Sequence, residues 1–238
     1  MRLMPLMSAA LTFSLSIPLF AQEWIEFANR EDRFTCNFPS EPKITATSYK
    51  SEHGADLPAR VYSAAQNQSR YSVTVVDYNQ AQRILTEKAK SCPVGAEPCL
   101  GSPGDEGHWK ADIRGAIVYA SWQLMQRDAR VTSLVWNVVD LVEGNQLQLT
   151  NNKDKSRTFA GIYMHENKLY IIEGTVPAGY PEPGLFQQSL GWLDKNGVGL
   201  RYQSYYSNGF PPPPRVVRGA RGQGQGRIDA PGANPGVR

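Results

Sequence analysis

Only three cysteines and three histidines occur in 238 residues, which leaves few ligands for a metal and few partners for a nucleophile. The chain has no phosphate-binding glycine loop, no His-Glu-x-x-His pair and no calcium-binding loop. The short motifs that mark nucleotide, zinc-protease and EF-hand chemistry are therefore missing. No glycine-flanked nucleophile elbow surrounds a serine. Ser189, in Gln188-Ser189-Leu190, reads as a helix surface or packing residue. Beyond residue 21 no segment is long and apolar enough to cross a bilayer. Internal repeats are absent, and so are interior linkers rich in Gly, Ser or Pro.

What the chain does have begins at its start. Arg2 precedes an apolar run from Leu6 to Phe20, and Leu19-Phe20-Ala21 offers a cleavage site before Gln22. Residues 1–21 therefore read as a removable export signal, too short and too broken by Pro18 for a comfortable membrane span. Gln22 and Glu23 follow the cut, so a lipid-anchored start on cysteine is not expected. The expected setting is periplasmic or secreted, without stable membrane insertion.

The other end is of a different kind. Residues 208–238 carry Pro211 to Pro214, then mostly Arg, Gly and Gln. Such composition buries too little apolar surface to offset the entropy of ordering, and predicts a disordered tail. Its five arginines against Asp229 give it a charge of +4; with Arg2 at +1 and the whole chain at +3, residues 22–207 carry −2. The basic balance belongs to the tail, and the expected single domain over 22–207 is mildly acidic.

Within that domain the hydrophobic period changes twice. Strand patterns run over Trp24–Ala28, Phe34–Phe38, Lys43–Tyr49, Leu57–Ala65 and Tyr71–Tyr78. Helical spacing follows over Asn79–Lys90, with Ala81, Ile84, Leu85 and Ala89 on one face, and over about Glu106–Gln126. A Cys-, Pro- and Gly-containing loop separates the two. Strands return at Val131–Val142, which Glu143-Gly144-Asn145 should turn back into Gln146–Thr150. Thr158–Met164 and Lys168–Val176 flank a hairpin at His165-Glu166-Asn167. A closing helix over Leu185–Leu193 and a short strand over Leu200–Tyr206 end the pattern. This order predicts an α+β fold, a mostly antiparallel sheet with packed helices.

Two stretches carry a resemblance. Arg33-Phe34-Thr35-Cys36-Asn37-Phe38-Pro39-Ser40-Glu41-Pro42 resembles the opening of PsbP-like α/β/α sandwich domains. Leu169–Pro177, followed by Phe186-Gln187-Gln188-Ser189-Leu190, resembles their last long strand and closing helix. Leu193-Asp194 and Asn196-Gly197 before Arg201-Tyr202 resemble the end of exported bacterial proteins of this type. The resemblance spans Trp24 to Tyr206. It implies a sandwich fold and a non-enzymatic role in binding or assembly support, and it carries over no functional residues.

Candidate chemistry is sparse. Cys92 and Cys99 bracket the turn-forming Pro93–Pro98 segment, and in an exported protein a disulfide is their default. The alternative is a zinc or copper site of Cys92, Cys99 and His108, with Asp105 and Glu106 nearby. Cys36, between Phe34 and Phe38, reads as a small buried core residue. His53 and His165 lie in turns and read as solvated, as do the adjacent acids Glu31-Asp32 and Asp105-Glu106. The tail arginines Arg215, Arg218, Arg221 and Arg227 suit an anionic envelope polymer or lipid headgroup. Export and the lack of aromatics after Phe210 argue against nucleic acid. The expected function is an exported, non-catalytic binding or assembly-support protein, needing no metal or cofactor, whose partner is another protein or an envelope component. A small envelope hydrolase with a site assembled from distant residues, and an anionic-surface adaptor working through the tail, are the alternatives.

Overall fold

A computed structural model describes residues 24–206 and 208. The expected export signal at 1–21 and the tail arginines Arg215, Arg218, Arg221 and Arg227 lie outside the described residues.

The chain is α+β. Its strands and helices are β1 (Ile25–Asn29), β2 (Phe34–Phe38), β3 (Lys43–Lys50), β4 (Asp56–Gln66), β5 (Ser69–Asp77), α1 (Ala81–Lys90), α2 (Glu97–Leu100), α3 (Trp109–Met125), β6 (Ala129–Val139), β7 (Val142–Asn151), β8 (Arg157–His165), β9 (Lys168–Val176), α4 (Gly184–Gln187), β10 (Gly191–Leu193) and β11 (Gly199–Leu200). Seven strands form one antiparallel sheet in the order β3-β4-β5-β9-β8-β7-β6. A smaller antiparallel sheet runs β1-β2-β10-β11.

The central strands of the large sheet are buried on both faces. On one face Ala81, Leu85, Ala116, Ala120 and Leu124 of α1 and α3 pack on Leu57, Leu147, Ile162 and Leu169. On the other, Phe34, Cys36 and Phe38 of β2, with Trp192 of β10, pack on Tyr62, Val73, Tyr170 and Ile172. The second face of the large sheet is thus covered by strands, where an α/β/α sandwich has helices.

Three hairpins of the large sheet close through two-residue loops in which both residues have positive φ: Asn67-Gln68, Asp140-Leu141 and Glu166-Asn167. This geometry matches the right-handed twist of the flanking strands. Two of the loops fall where turn chemistry places them. The third corrects the sequence reading: the chain turns at Asp140-Leu141, and Glu143-Gly144-Asn145 lies inside β7. Gly144 serves packing there, because a Cβ would run into the Ile162 carbonyl and the Tyr163 ring.

Two further expectations are corrected. The closing helix over Leu185–Leu193 is only the single turn α4. The Ser189 hydroxyl accepts a hydrogen bond from the Asn37 amide at 2.8 Å and donates to the Phe186 carbonyl at 2.9 Å. Gly191 and Trp192 then pair with Thr35 and Phe34 as β10. The expected last strand over Leu200–Tyr206 shrinks to β11 and a single parallel bridge from Tyr206 to Val142. The longer helix starts at Trp109, after left-handed Gly107 and His108. Gly107 allows the close approach of α1, since a Cβ would meet the Leu85 carbonyl.

Candidate functional site

The small sheet covers only part of the large one. Beside it, a cleft of about 1240 Å³ opens over the β6–β8 side. Its floor comes from alternate residues of the large sheet. Asn137 of β6, Gln146 of β7, and Gly161 and Tyr163 of β8 all face it. Its opposite wall comes from Gln187 at the end of α4, from Gln188 and Ser189 after it, from β10, and from Leu200 and Arg201.

Tyr163 sets the shape of the floor. Its ring fills the space that side chains at Gly144 and Gly161 would occupy, and its hydroxyl accepts a hydrogen bond from the Asn137 amide at 3.1 Å. Burial pushes the phenol up to about 12, so it stays neutral and fixed at ordinary pH. The Trp192 indole N–H donates to the Val139 carbonyl at 2.9 Å, tying the wall to the floor.

The lining is polar. Side-chain amides come from Asn137, Gln146, Gln187 and Gln188, and hydroxyls from Thr35 and Ser189. Glu26, Asp140 and Glu182 supply three carboxylates against the one guanidinium of Arg201. Arg201 reaches Asp140 at 3.3 Å from an exposed position, where such a pair contributes little. No histidine or cysteine lines the cleft among the described residues. These groups can hydrogen-bond an uncharged ligand or accept from a cationic one, and the excess of carboxylates disfavours an anion.

The residues singled out by sequence lie elsewhere. Cys92 and Cys99 form a disulfide with Cα atoms 6.2 Å apart, which fits an oxidising compartment. They border a smaller pocket of about 270 Å³ that also touches His53 and His108. The two imidazoles stack at 4.9 Å. With both sulfurs bonded to each other, the zinc or copper reading loses its soft ligands. Among the described residues, no group of three His, Cys, Asp or Glu side chains is disposed to hold a metal. Reduction should lower stability by about 2–3 kcal/mol by releasing the short loop. Urea melts with and without dithiothreitol measure this, and alkylation without reductant should label neither Cys92 nor Cys99.

Cys36 is fully buried, as expected. Burial pushes its thiol up to about 12, so it is not a nucleophile. Two residues read as solvated are buried instead. His165 has no exposed surface; it packs on Trp192 at 4.8 Å and on Tyr206 at 5.0 Å. Its Nε2 shares a 2.6 Å hydrogen bond with the Tyr202 hydroxyl. Asp32 is 2% exposed, although it sits in the β1–β2 turn.

Asp32 joins the two sheets. Its carboxylate accepts hydrogen bonds from Arg60 Nε at 2.6 Å, Tyr62 Oη at 2.6 Å and Lys168 Nζ at 2.9 Å. Tyr170 Oη donates to its backbone carbonyl at 2.7 Å. Burial pushes the carboxyl up, but the bonds from Arg60, Lys168 and Tyr62 outweigh it and hold the group below the ordinary range. No local sequence signal announces this network, because its members come from β4, β9 and the β1–β2 turn.

No helix among the described residues is long and apolar enough to cross a membrane. No protein-family model matches the chain, and a search of curated proteins finds no similar sequence.

Proposed function

We propose that this chain is an exported, non-catalytic binding protein and that the cleft beside the small sheet holds a polar, uncharged or cationic ligand. The observation that carries this is the lining: amides and carboxylates on a floor fixed by Tyr163, with no imidazole or thiol beside them. Such groups orient a ligand by hydrogen bonding, and no imidazole among the described lining residues stands ready to activate a hydroxyl. Export is supported by the residue pattern of 1–21 and by the Cys92–Cys99 disulfide. Membership of the PsbP-like domains is supported by the Arg33–Pro42 opening and the Leu169–Pro177 strand, while the covering small sheet and the single-turn α4 depart from an α/β/α sandwich.

The test is equilibrium binding by the full chain to panels of neutral oligosaccharides and basic peptides. A ligand of the cleft should bind roughly 5- to 150-fold more weakly to Gln146→Leu, since losing a hydrogen bond inside a site costs about 1–3 kcal/mol. Binding that ignores Gln146→Leu and Gln188→Leu places the ligand elsewhere. Turnover of an ester, peptide or glycoside, lost on changing Glu26 or Glu182, would favour the hydrolase.

A further inference from the structure

The large sheet ends in two unlike edges. β3 is guarded: Lys43 and Lys50 stand at its ends, Thr45, Thr47 and Ser48 lie between them, and Ile44 is its one large exposed apolar side chain. β6 is unguarded. Its eleven residues, Ala129–Val139, contain no proline and one charged residue, Arg130. Val131, Leu134, Val135 and Trp136 are 39–58% exposed. Four of the thirteen large exposed apolar side chains among the described residues therefore fall on one edge strand. Natural sheets rarely leave such an edge open, because its free N–H and C=O groups template another strand.

The surroundings extend the apolar strip. Tyr205 packs against Trp136 with ring centroids 5.7 Å apart and is itself 57% exposed. Asn145, which lies opposite Trp136, binds Ser121 of α3 at 3.1 Å. The next residue of α3, Trp122, is 49% exposed.

We propose that β6 pairs antiparallel with β6 of a second copy, joining two large sheets into one continuous sheet. The bulge between Val131 and Ser133 leaves Ser133–Val139 as the regular stretch, so the two-fold axis passes near Trp136. A two-fold axis perpendicular to the sheet keeps each face on its own side. Trp136 then meets its own copy, and Leu134 meets Val138. The same register carries Arg130 toward Asp140 of the second copy, an opposite charge, and sets no like charges against each other.

The area is sufficient. Half-exposed side chains at Trp122, Val131, Leu134, Val135, Trp136 and Tyr205, each offering on the order of 100 Å², come to roughly 600 Å² per partner. The edge backbone adds to this, against about 800 Å² per partner in a standard stable interface. The chain's own C-terminal residues are poor occupants of this edge. Pro211 to Pro214 have no N–H to donate to a ladder, and the residues after them are mostly Arg, Gly and Gln.

Sedimentation equilibrium of the full chain between about 1 and 100 µM tests the proposal. The expected result is a two-copy mass, with Trp136→Lys weakening association at least 100-fold, because it sets two lysines face to face across the axis. Leu134→Lys should act in the same direction and Ile44→Lys should change nothing. Thermal melts check that each variant folds. A wild-type chain that stays monomeric at 100 µM overturns the proposal, and so does a dimer that survives Trp136→Lys or is broken by Ile44→Lys. A monomer whose Trp136 is shielded from acrylamide would assign the edge to the chain's own tail, and also overturns it.

Discussion

Asp32→Ala should lower the unfolding free energy by about 3–5 kcal/mol, the cost typical of removing one partner from a buried ion pair. The carboxylate balances two cations. Arg60 donates through Nε and Nη2, and Lys168, 9% exposed, donates through Nζ. Truncation leaves Lys168 buried without its counter-charge and strips the Tyr62 hydroxyl of its acceptor. It also loosens the contact of the β1–β2 turn with the large sheet, since Lys168 and Tyr170 reach that turn from β9. Native domains hold roughly 5–15 kcal/mol in total, so this variant should be visibly less folded in modest urea. Asp32→Asn keeps the shape and should cost less, because it still offers Tyr62 an acceptor. Lys168→Met should recover part of the loss in Asp32→Ala, since it removes the unpaired charge. Urea midpoints of the three variants decide the matter; a loss under about 1 kcal/mol in Asp32→Ala would show the network to be solvated.

How far this was legible in sequence depended on whether the signal was local. The β1–β2 and β8–β9 hairpins, the two long helices and the alternating burial of Phe34, Cys36 and Phe38 are local, and alternation or helical spacing marks them. The Cys92–Cys99 pairing follows from a short loop and an expected oxidising compartment. Asp32 and His165 were misjudged because each sits in or beside a turn, where polar residues are usually wet. In each case another layer folds over the turn. Lys168 and Arg60 close over Asp32, and the returning segment with Tyr202 and Tyr206 closes over His165.

The apolar run Val131–Val142 reads as a strand, but nothing in it tells that β6 is an edge, because periodicity reports face and not position in the sheet. Gly144 reads as a turn glycine, yet it makes room for Tyr163, nineteen residues further along the chain. The cleft was illegible for a third reason. Asn137, Gln146 and Gln188 have no spacing in common; they meet only because the small sheet stops short of β6 and β7.

Acidification should destabilise this protein in two separable steps, and His165 should govern the first. Burial, helped by the charge of Arg33, pushes its imidazole down to about 4, against about 6.5 in an unfolded chain. Between these values the unfolded chain binds a proton that the native state refuses. Stability is therefore full above about pH 6.5, falls as pH drops, and levels off near pH 4 after a loss of about 3 kcal/mol. Asp32 works the same way at lower pH. Its folded pKa is depressed, so its contribution is lost only below the ordinary carboxylate range of about 3.9. The first step has a structural consequence. A charged His165 would sit between Trp192, Tyr202 and Tyr206, and the route to water is to lift the segment from Arg201 to Tyr206. That segment is held by the Tyr206 amide on the Leu141 carbonyl at 2.8 Å and by the Glu166 amide on the Tyr206 hydroxyl at 2.9 Å. Arg201, at its start, lines the cleft, so acid should loosen one wall of the cleft before the core opens. Urea midpoints at pH 7.5, 6, 5 and 4.5 measure the step. His165→Phe should flatten the curve over this range, while the loss below pH 4 remains. A wild-type midpoint that does not move between pH 7.5 and 4.5 would mean that His165 gains its proton without leaving its aromatic cage, and that the cleft keeps its shape in acid.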